Sequence, residues 1–131
     1  MIQPTLAEWR SEASTFAFGD LNIAYWRGGS GKPLVLVHGY PTAAWDWHRV
    51  WGTLGERRSL IAPDMIGFGL SDKPRSGYTI HRQADMHEAL LNHLGIGEYD
   101  ALVHDYGVSV GQELLARRGD GSGATGWQRA G

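Results

Sequence analysis

The chain has no cysteine. A cysteine-free composition fits a reducing compartment, with the cytoplasm as the expected location. No apolar run approaches the ~20 residues that a membrane-spanning helix needs, so no membrane partner is expected. The start, from Met1 to Arg10, has neither a positively charged cluster nor a long apolar core, which argues against a secretory signal. Cations are scattered as Arg10, Arg27, Arg49, Arg57-Arg58 and Arg117-Arg118, and the formal net charge is -2. With no stripe of cations to follow a phosphate backbone, nucleic acid is not an expected partner either. What remains, at 131 residues and an ordinary hydrophobic fraction, is a single soluble domain.

What is present is an alternation of strand-like and helix-like periods, the signature of an α/β fold. Phe16 to Gly19 and Asn22 to Arg27 read as an antiparallel hairpin around Gly19-Asp20. Gly28 to Pro33 reads as a loop by its breakers. Leu34 to Val37 is a continuous apolar run, as expected of a strand covered on both faces, and Ser59 to Pro63 and Ala101 to Val103 repeat the pattern. Trp47, Val50, Trp51 and Leu54 fall at i, i+3, i+4 and i+7, which predicts a helix ended by Gly55. A second helix opens at Thr79 as N-cap and stops at Gly95, and a third runs from about Val108 to Arg118. His87, in the apolar face of the second, reads as a packed neutral histidine. A hairpin followed by three strand–helix pairs predicts parallel strands joined by right-handed crossovers, with helices on both faces. The stretch 119–131 holds Gly119, Gly121, Gly123, Gly126 and Gly131 among polar residues, so it is expected to be a disordered tail on a 1–118 core.

The chemistry gathers at three strand ends: His38-Gly39-Tyr40-Pro41, the segment from Asp64, and His104-Asp105-Tyr106-Gly107. In an open α/β sheet, ligands bind beyond the carboxyl ends of the strands. A sharp strand-to-helix turn exposes one side chain above the sheet and aims backbone N–H groups at the oxyanion its attack creates. Here that side chain is Asp105. A carboxylate is ionised at neutral pH and needs no base to attack an alkyl carbon or strained ring. The resulting ester must then be hydrolysed by water, assisted by a histidine. The natural oxyanion donors are the N–H groups of Tyr106 and Tyr40. Ordinary helix capping is the competing use of an aspartate in this place. A Gly-x-Ser-x-Gly match at Gly107 to Gly111 offers Ser109 instead. Ser109 lies six residues beyond Val103, inside the first helical turn, whereas a nucleophile must sit at the strand end. Gly111 is expected to let the helix approach the sheet.

The ordered series LVLVHGYPTAAWDWHRVW, LIAPDMIGFGLSDKP and VHDYGVSVGQELLARR resembles the N-terminal half of an α/β-hydrolase of the epoxide hydrolase and haloalkane dehalogenase branch. Within that branch it is similar to the mesoderm-specific transcript group, whose elbow also reads His-Asp-Tyr-Gly. The resemblance implies Asp105 as nucleophile, with His38, Gly39, Tyr40 and Tyr106 around the oxyanion and substrate. It makes Gly67 to Ser71 a structural turn beside the site. It implies a small apolar organic substrate and adds no metal and no organic cofactor. Val103 stands where many members carry a small residue. Tyr40 replaces the halide-holding asparagine of haloalkane dehalogenases, and Tyr106 replaces a tryptophan. Both changes weigh against dehalogenation and leave epoxide or ester hydrolysis open.

Members of the family continue with further strands, a helical lid, a second acid and a catalytic histidine, none of which has a counterpart after Arg118. All six histidines precede Asp105. The chain is therefore expected to be a truncated hydrolase that forms the ester and stalls. The strand before Asp105 becomes a sheet edge, open to self-association. The alternative is a non-catalytic fragment or binding module that uses that edge.

Overall fold

The computed structural model describes residues 3–118, so the tail expected over 119–131 lies outside the described residues. In chain order the elements are α1 (Leu6–Ser11), β1 (Ser14–Phe18), β2 (Leu21–Gly29), β3 (Lys32–Val37), a 3-10 turn (Ala44–Trp47), α2 (Trp51–Gly55), β4 (Arg58–Pro63), α3 (Ile80–His93), β5 (Asp100–Val103) and α4 (Tyr106–Arg117). The strands form one sheet in the order β1-β2-β4-β3-β5. β1 and β2 are antiparallel, β2 runs antiparallel to β4, and β3 runs parallel to both β4 and β5. The expected hairpin-then-parallel architecture is the one observed. The segment expected as a loop contributes more to the sheet than its glycines suggest. Gly28 and Gly29 pair with Leu60 and Ser59, while Lys32 and Pro33 pair with Arg58 and Ser59.

Alternation along the strands builds a core on each side of this sheet. Ile23, Tyr25, Val35, Val37, Ile61, Ala101 and Val103 face one side, where Met86, Leu90 and Leu91 of α3 and Val110 and Leu114 of α4 cover them. Ala24, Trp26, Leu34, Leu36, Leu60 and Ala62 face the other, under Trp9, Ala44, Trp51 and Leu54. Val103 is accommodated within the first core, so the larger residue ahead of Asp105 does not prevent the turn. Thr79 caps α3 as expected, its hydroxyl accepting from the Arg82 N–H at 3.0 Å. Arg117 then ties α4 to α3 through Asp85 and Glu88.

Two local readings are corrected. Helix α1 was not anticipated, although Thr5 and Glu8 form a capping box that satisfies both backbone groups. Trp9 on this helix is buried and stacks on Trp26 at 4.8 Å, and the Trp26 indole N–H donates to the Trp9 carbonyl. The continuous helix expected over Trp47–Leu54 is instead a 3-10 turn followed by the short α2. Asp46, His48 and Val50 donate to carbonyls three residues back, at Ala43, Trp45 and Trp47. Three residues per turn eclipses positions 45, 48 and 51. Trp45 and His48 accordingly stack at 3.7 Å, and Trp45 and Trp51 both meet Trp9 edge-on. Packing of bulky indoles outweighs the 3.6-residue preference here.

At the amino ends of the parallel strands, Arg58 clasps the carbonyls of Lys32 and Pro33 and the Asp100 carboxylate. The opposite ends, free of this clasp, carry the three turn motifs. Among the described residues, β5 pairs on one side only and no helix is long and apolar enough to cross a membrane.

Candidate active site

His38 and Asp64 directly follow the last residues of β3 and β4, and Asp105 stands two residues beyond the end of β5, so the parallel register brings all three motifs to one end of the sheet. Asp105 has φ 54 and ψ -123, and among the described residues it alone has a positive φ without being glycine. That backbone lifts the carboxylate off the strand axis at the start of α4. Its Oδ1 accepts from the Tyr106 N–H at 2.6 Å and from the Tyr40 N–H at 3.4 Å. Two peptide groups, one from the first residue of α4 and one from the loop after β3, 65 residues from Asp105, thus meet on one oxygen. Oδ2 makes no hydrogen bond among the described residues, and Asp105 is exposed. Gly39 permits this meeting. A β-carbon there would stand 2.6 Å from the Asp105 Cβ and 3.1 Å from the His104 carbonyl oxygen.

His38 occupies the expected loop, but its ring does not reach the site. It is fully buried, and Met65 N–H donates to Nε2 at 2.9 Å. Nε2 must therefore accept, which leaves the proton on Nδ1 to be donated to the Gly39 carbonyl at 2.8 Å. Burial lowers its pKa, against the pull of that hydrogen bond and of Asp64. His38 is a strut between the loops after β3 and β4, a correction to its expected place against substrate. Asp64 is equally buried. Its Oδ1 accepts from Ala44 N–H at 2.7 Å and its Oδ2 from Leu70 N–H at 2.8 Å. Burial raises its pKa, and these two hydrogen bonds oppose the rise. The Ser71 hydroxyl donates to the Asp64 carbonyl and accepts from Ala24 N–H, locking the Gly67–Ser71 turn to β2.

Tyr40 and Tyr106 also line a cavity of ≈ 540 Å³ together with Pro41, Gly67, Phe68, Tyr78 and Gln83. Burial raises the Tyr106 hydroxyl pKa. Phe68 belongs to the turn expected beside the site, whereas Tyr78 and Gln83 were not foreseen, because they reach the cavity through long-range packing that local spacing does not encode.

Four of the other histidines are held in contacts elsewhere in the fold. His48 stacks on Trp45, His81 pairs with Glu113 at 3.1 Å, and His93 lies beside Phe16. His87 is buried, donates from Nδ1 to the Gln83 carbonyl at 2.7 Å, and has no partner for Nε2 among the described residues. Its pKa is lowered to about 4, chiefly by burial. His104 is exposed on the residue before the turn. Ser109 sits in the first turn of α4, exposed and off the elbow, in the register expected for it. Gly111 is buried in the same helix.

Residues 32–120 match the alpha/beta hydrolase fold family. The mesoderm-specific transcript homolog protein of Bos taurus is 44% identical over 125 residues, covering 88% of this chain and 37% of that protein. The soluble epoxide hydrolase of Corynebacterium sp. (strain C12) is 41% identical over 86 residues, covering 66% of this chain and 30% of that protein. An alpha/beta hydrolase fold protein from Burkholderia ambifaria superposes with a TM-score of 0.76 at 34% identity, covering 82% of this chain and 40% of that one. The chain spans well under half the length of the curated relatives it matches.

Proposed function

The chain belongs to the α/β-hydrolase fold family, and on that premise we propose that it carries the nucleophile site of an epoxide-hydrolase-like enzyme, with Asp105 forming an ester to carbon. The observation that carries this reading is the convergence of the Tyr40 and Tyr106 N–H groups on Asp105 Oδ1. A carboxylate polarised through one oxygen presents the other as nucleophile. The same two donors then face the ester carbonyl oxygen, where negative charge develops when water adds.

In the first step an Oδ2 electron pair attacks a ring carbon of a small apolar epoxide. The carbon–oxygen ring bond breaks, its electron pair stays on oxygen, and that oxygen takes a proton from solvent. The product is a hydroxyalkyl ester of Asp105. In the second step water adds to the ester carbonyl and loses a proton, the Tyr40 and Tyr106 N–H groups hold the oxyanion, and collapse releases a diol and restores the carboxylate. The second step calls for a base. None of the six histidines hydrogen-bonds to Asp105, and His38 and His87 are buried in other contacts. Among the described residues no histidine is hydrogen-bonded in place as that base, so on this reading the described site carries the alkylation and the ester is its expected resting form.

Ester accumulation is the expected outcome when the chain is incubated with an epoxide and its intact mass is followed. The mass should rise by that of one epoxide, Asp105→Asn should abolish the rise, and less than one further equivalent of diol should appear. Sustained diol release without a mass change would count against the stalled ester.

A further inference from the structure

The cavity beside Asp105 is walled by four aromatic side chains, Tyr40, Phe68, Tyr78 and Tyr106. Much of its polar capacity is spent within the protein. The Gln83 amide uses both ends on one residue, donating from Nε2 to the Ile66 carbonyl at 2.9 Å and accepting at Oε1 from the Ile66 N–H at 3.0 Å. The Tyr78 hydroxyl donates to the Pro74 carbonyl. A pocket selects polar groups through unspent donors and acceptors, and these two side chains have few to offer.

The Tyr78 ring is also held in place from below. Gly67 has φ 93, and a β-carbon there would overlap the ring. Tethered at its hydroxyl and laid against a bare Cα, the ring is fixed, yet 46% of the residue stays exposed. Burial does not account for an aromatic side chain kept this open. Phe68 packs edge-on to Tyr40 with ring centroids 5.8 Å apart and planes at 86°, so two further rings of the wall hold each other at a fixed angle.

We propose that Tyr78 is a specificity-determining residue of this cavity, its ring fixed over Gly67 to select substrates carrying a flat aromatic group over those carrying a flexible alkyl chain. The proposal rests on the reading of Asp105 as the nucleophile that the cavity serves. Unreactive diols separate the two ideas. Titration of the full chain by ligand-observed NMR should give about fivefold tighter binding for styrene glycol than for straight-chain hexanediol. Tyr78→Leu should remove that preference by weakening styrene glycol alone, whereas Tyr78→Phe, which keeps the ring over Gly67 and loses only the hydroxyl tether, should retain part of it. Equal affinities in the unaltered chain, no binding of either diol, or a preference that survives Tyr78→Leu would overturn the proposal. Ester formation then reports separately on Asp105. Aryl preference in binding with no ester from styrene oxide would remove Asp105 as nucleophile and leave the aromatic wall standing. Equal rates of ester formation from styrene oxide and epoxyhexane, in the unaltered chain and in Tyr78→Leu alike, would remove the wall and leave Asp105.

Discussion

Two aspartates stand at the same end of the sheet, on either side of β3, each accepting two backbone N–H groups drawn from separate places in the chain, and the two share out those hydrogen bonds in opposite ways. Asp64 divides its hydrogen bonds, one per oxygen, and is buried to 1% exposure. Both of its oxygens are consumed in fastening the loops after β3 and β4. Asp105 places both hydrogen bonds on Oδ1, on an exposed residue with a positive φ. One oxygen takes both donors and the other takes none among the described residues. On the proposed reading, identical side chains at the same end of the sheet serve as a fastening or as a nucleophile according to how two donors are shared between two oxygens.

The sharpest way to break this comparison is to delete each carboxylate. Asp64→Ala strands two buried N–H groups that now bond a carboxylate, and we expect a loss of about 4 kcal/mol in urea-unfolding free energy. Asp105→Ala should change stability by less than about 0.5 kcal/mol, since water reaches the freed N–H groups. Equal losses from the two substitutions would show that the contrast has no energetic content.

How much of this was legible in the sequence follows from the range of the interactions. The apolar runs of β3, β4 and β5 and the Thr79 cap are local signals, and each appears where the residues placed it. The Asp105 turn and its partners Tyr40 and Tyr106 were legible because a strand end, a helix start and a preceding loop are ordered features. The division of labour between Asp64 and Asp105 was not legible, because both aspartates follow buried apolar strands and only tertiary packing decides which is covered. The same holds for His38, whose ring turns inward to Met65, and for Tyr78, which reaches the cavity by lying over Gly67. The Trp47–Leu54 periodicity misled because the indoles answer to Trp9, a residue far away in sequence.

Burial with every polar atom partnered, as at Asp64, can be set against burial without, as at His87. The His87 pKa is lowered from 6.5 to about 4. Between those values the unfolded chain binds a proton that the folded chain refuses. This contribution is therefore complete above pH 6.5, falls as the pH drops, and is lost by about pH 4. We expect this group to make the fold about 2 kcal/mol less stable at pH 5 than at pH 7. His87→Met should remove that part of the pH dependence, and an unchanged profile would contradict it.

A smaller effect with the opposite sign is expected at the elbow. Asp105→Gly relieves a backbone conformation that costs a non-glycine residue, so the variant should gain about 1 kcal/mol while losing all ester formation. A gain in stability without loss of chemistry would separate the strained turn from function. The smallest effect concerns the outer edge of β5. Leu102→Lys places a charge on that edge strand and should weaken concentration-dependent self-association in sedimentation velocity. A purely monomeric chain before substitution would show that the edge recruits nothing.

Peptide mapping of the epoxide-treated chain tests the division between the two aspartates most directly. After proteolysis, fragmentation should place the added epoxide mass on Asp105 alone, with Asp64 and Ser109 unmodified. Label on Asp64 or Ser109, or an unmodified Asp105 in a chain whose mass has increased, would contradict the assignment of the free Oδ2 as nucleophile.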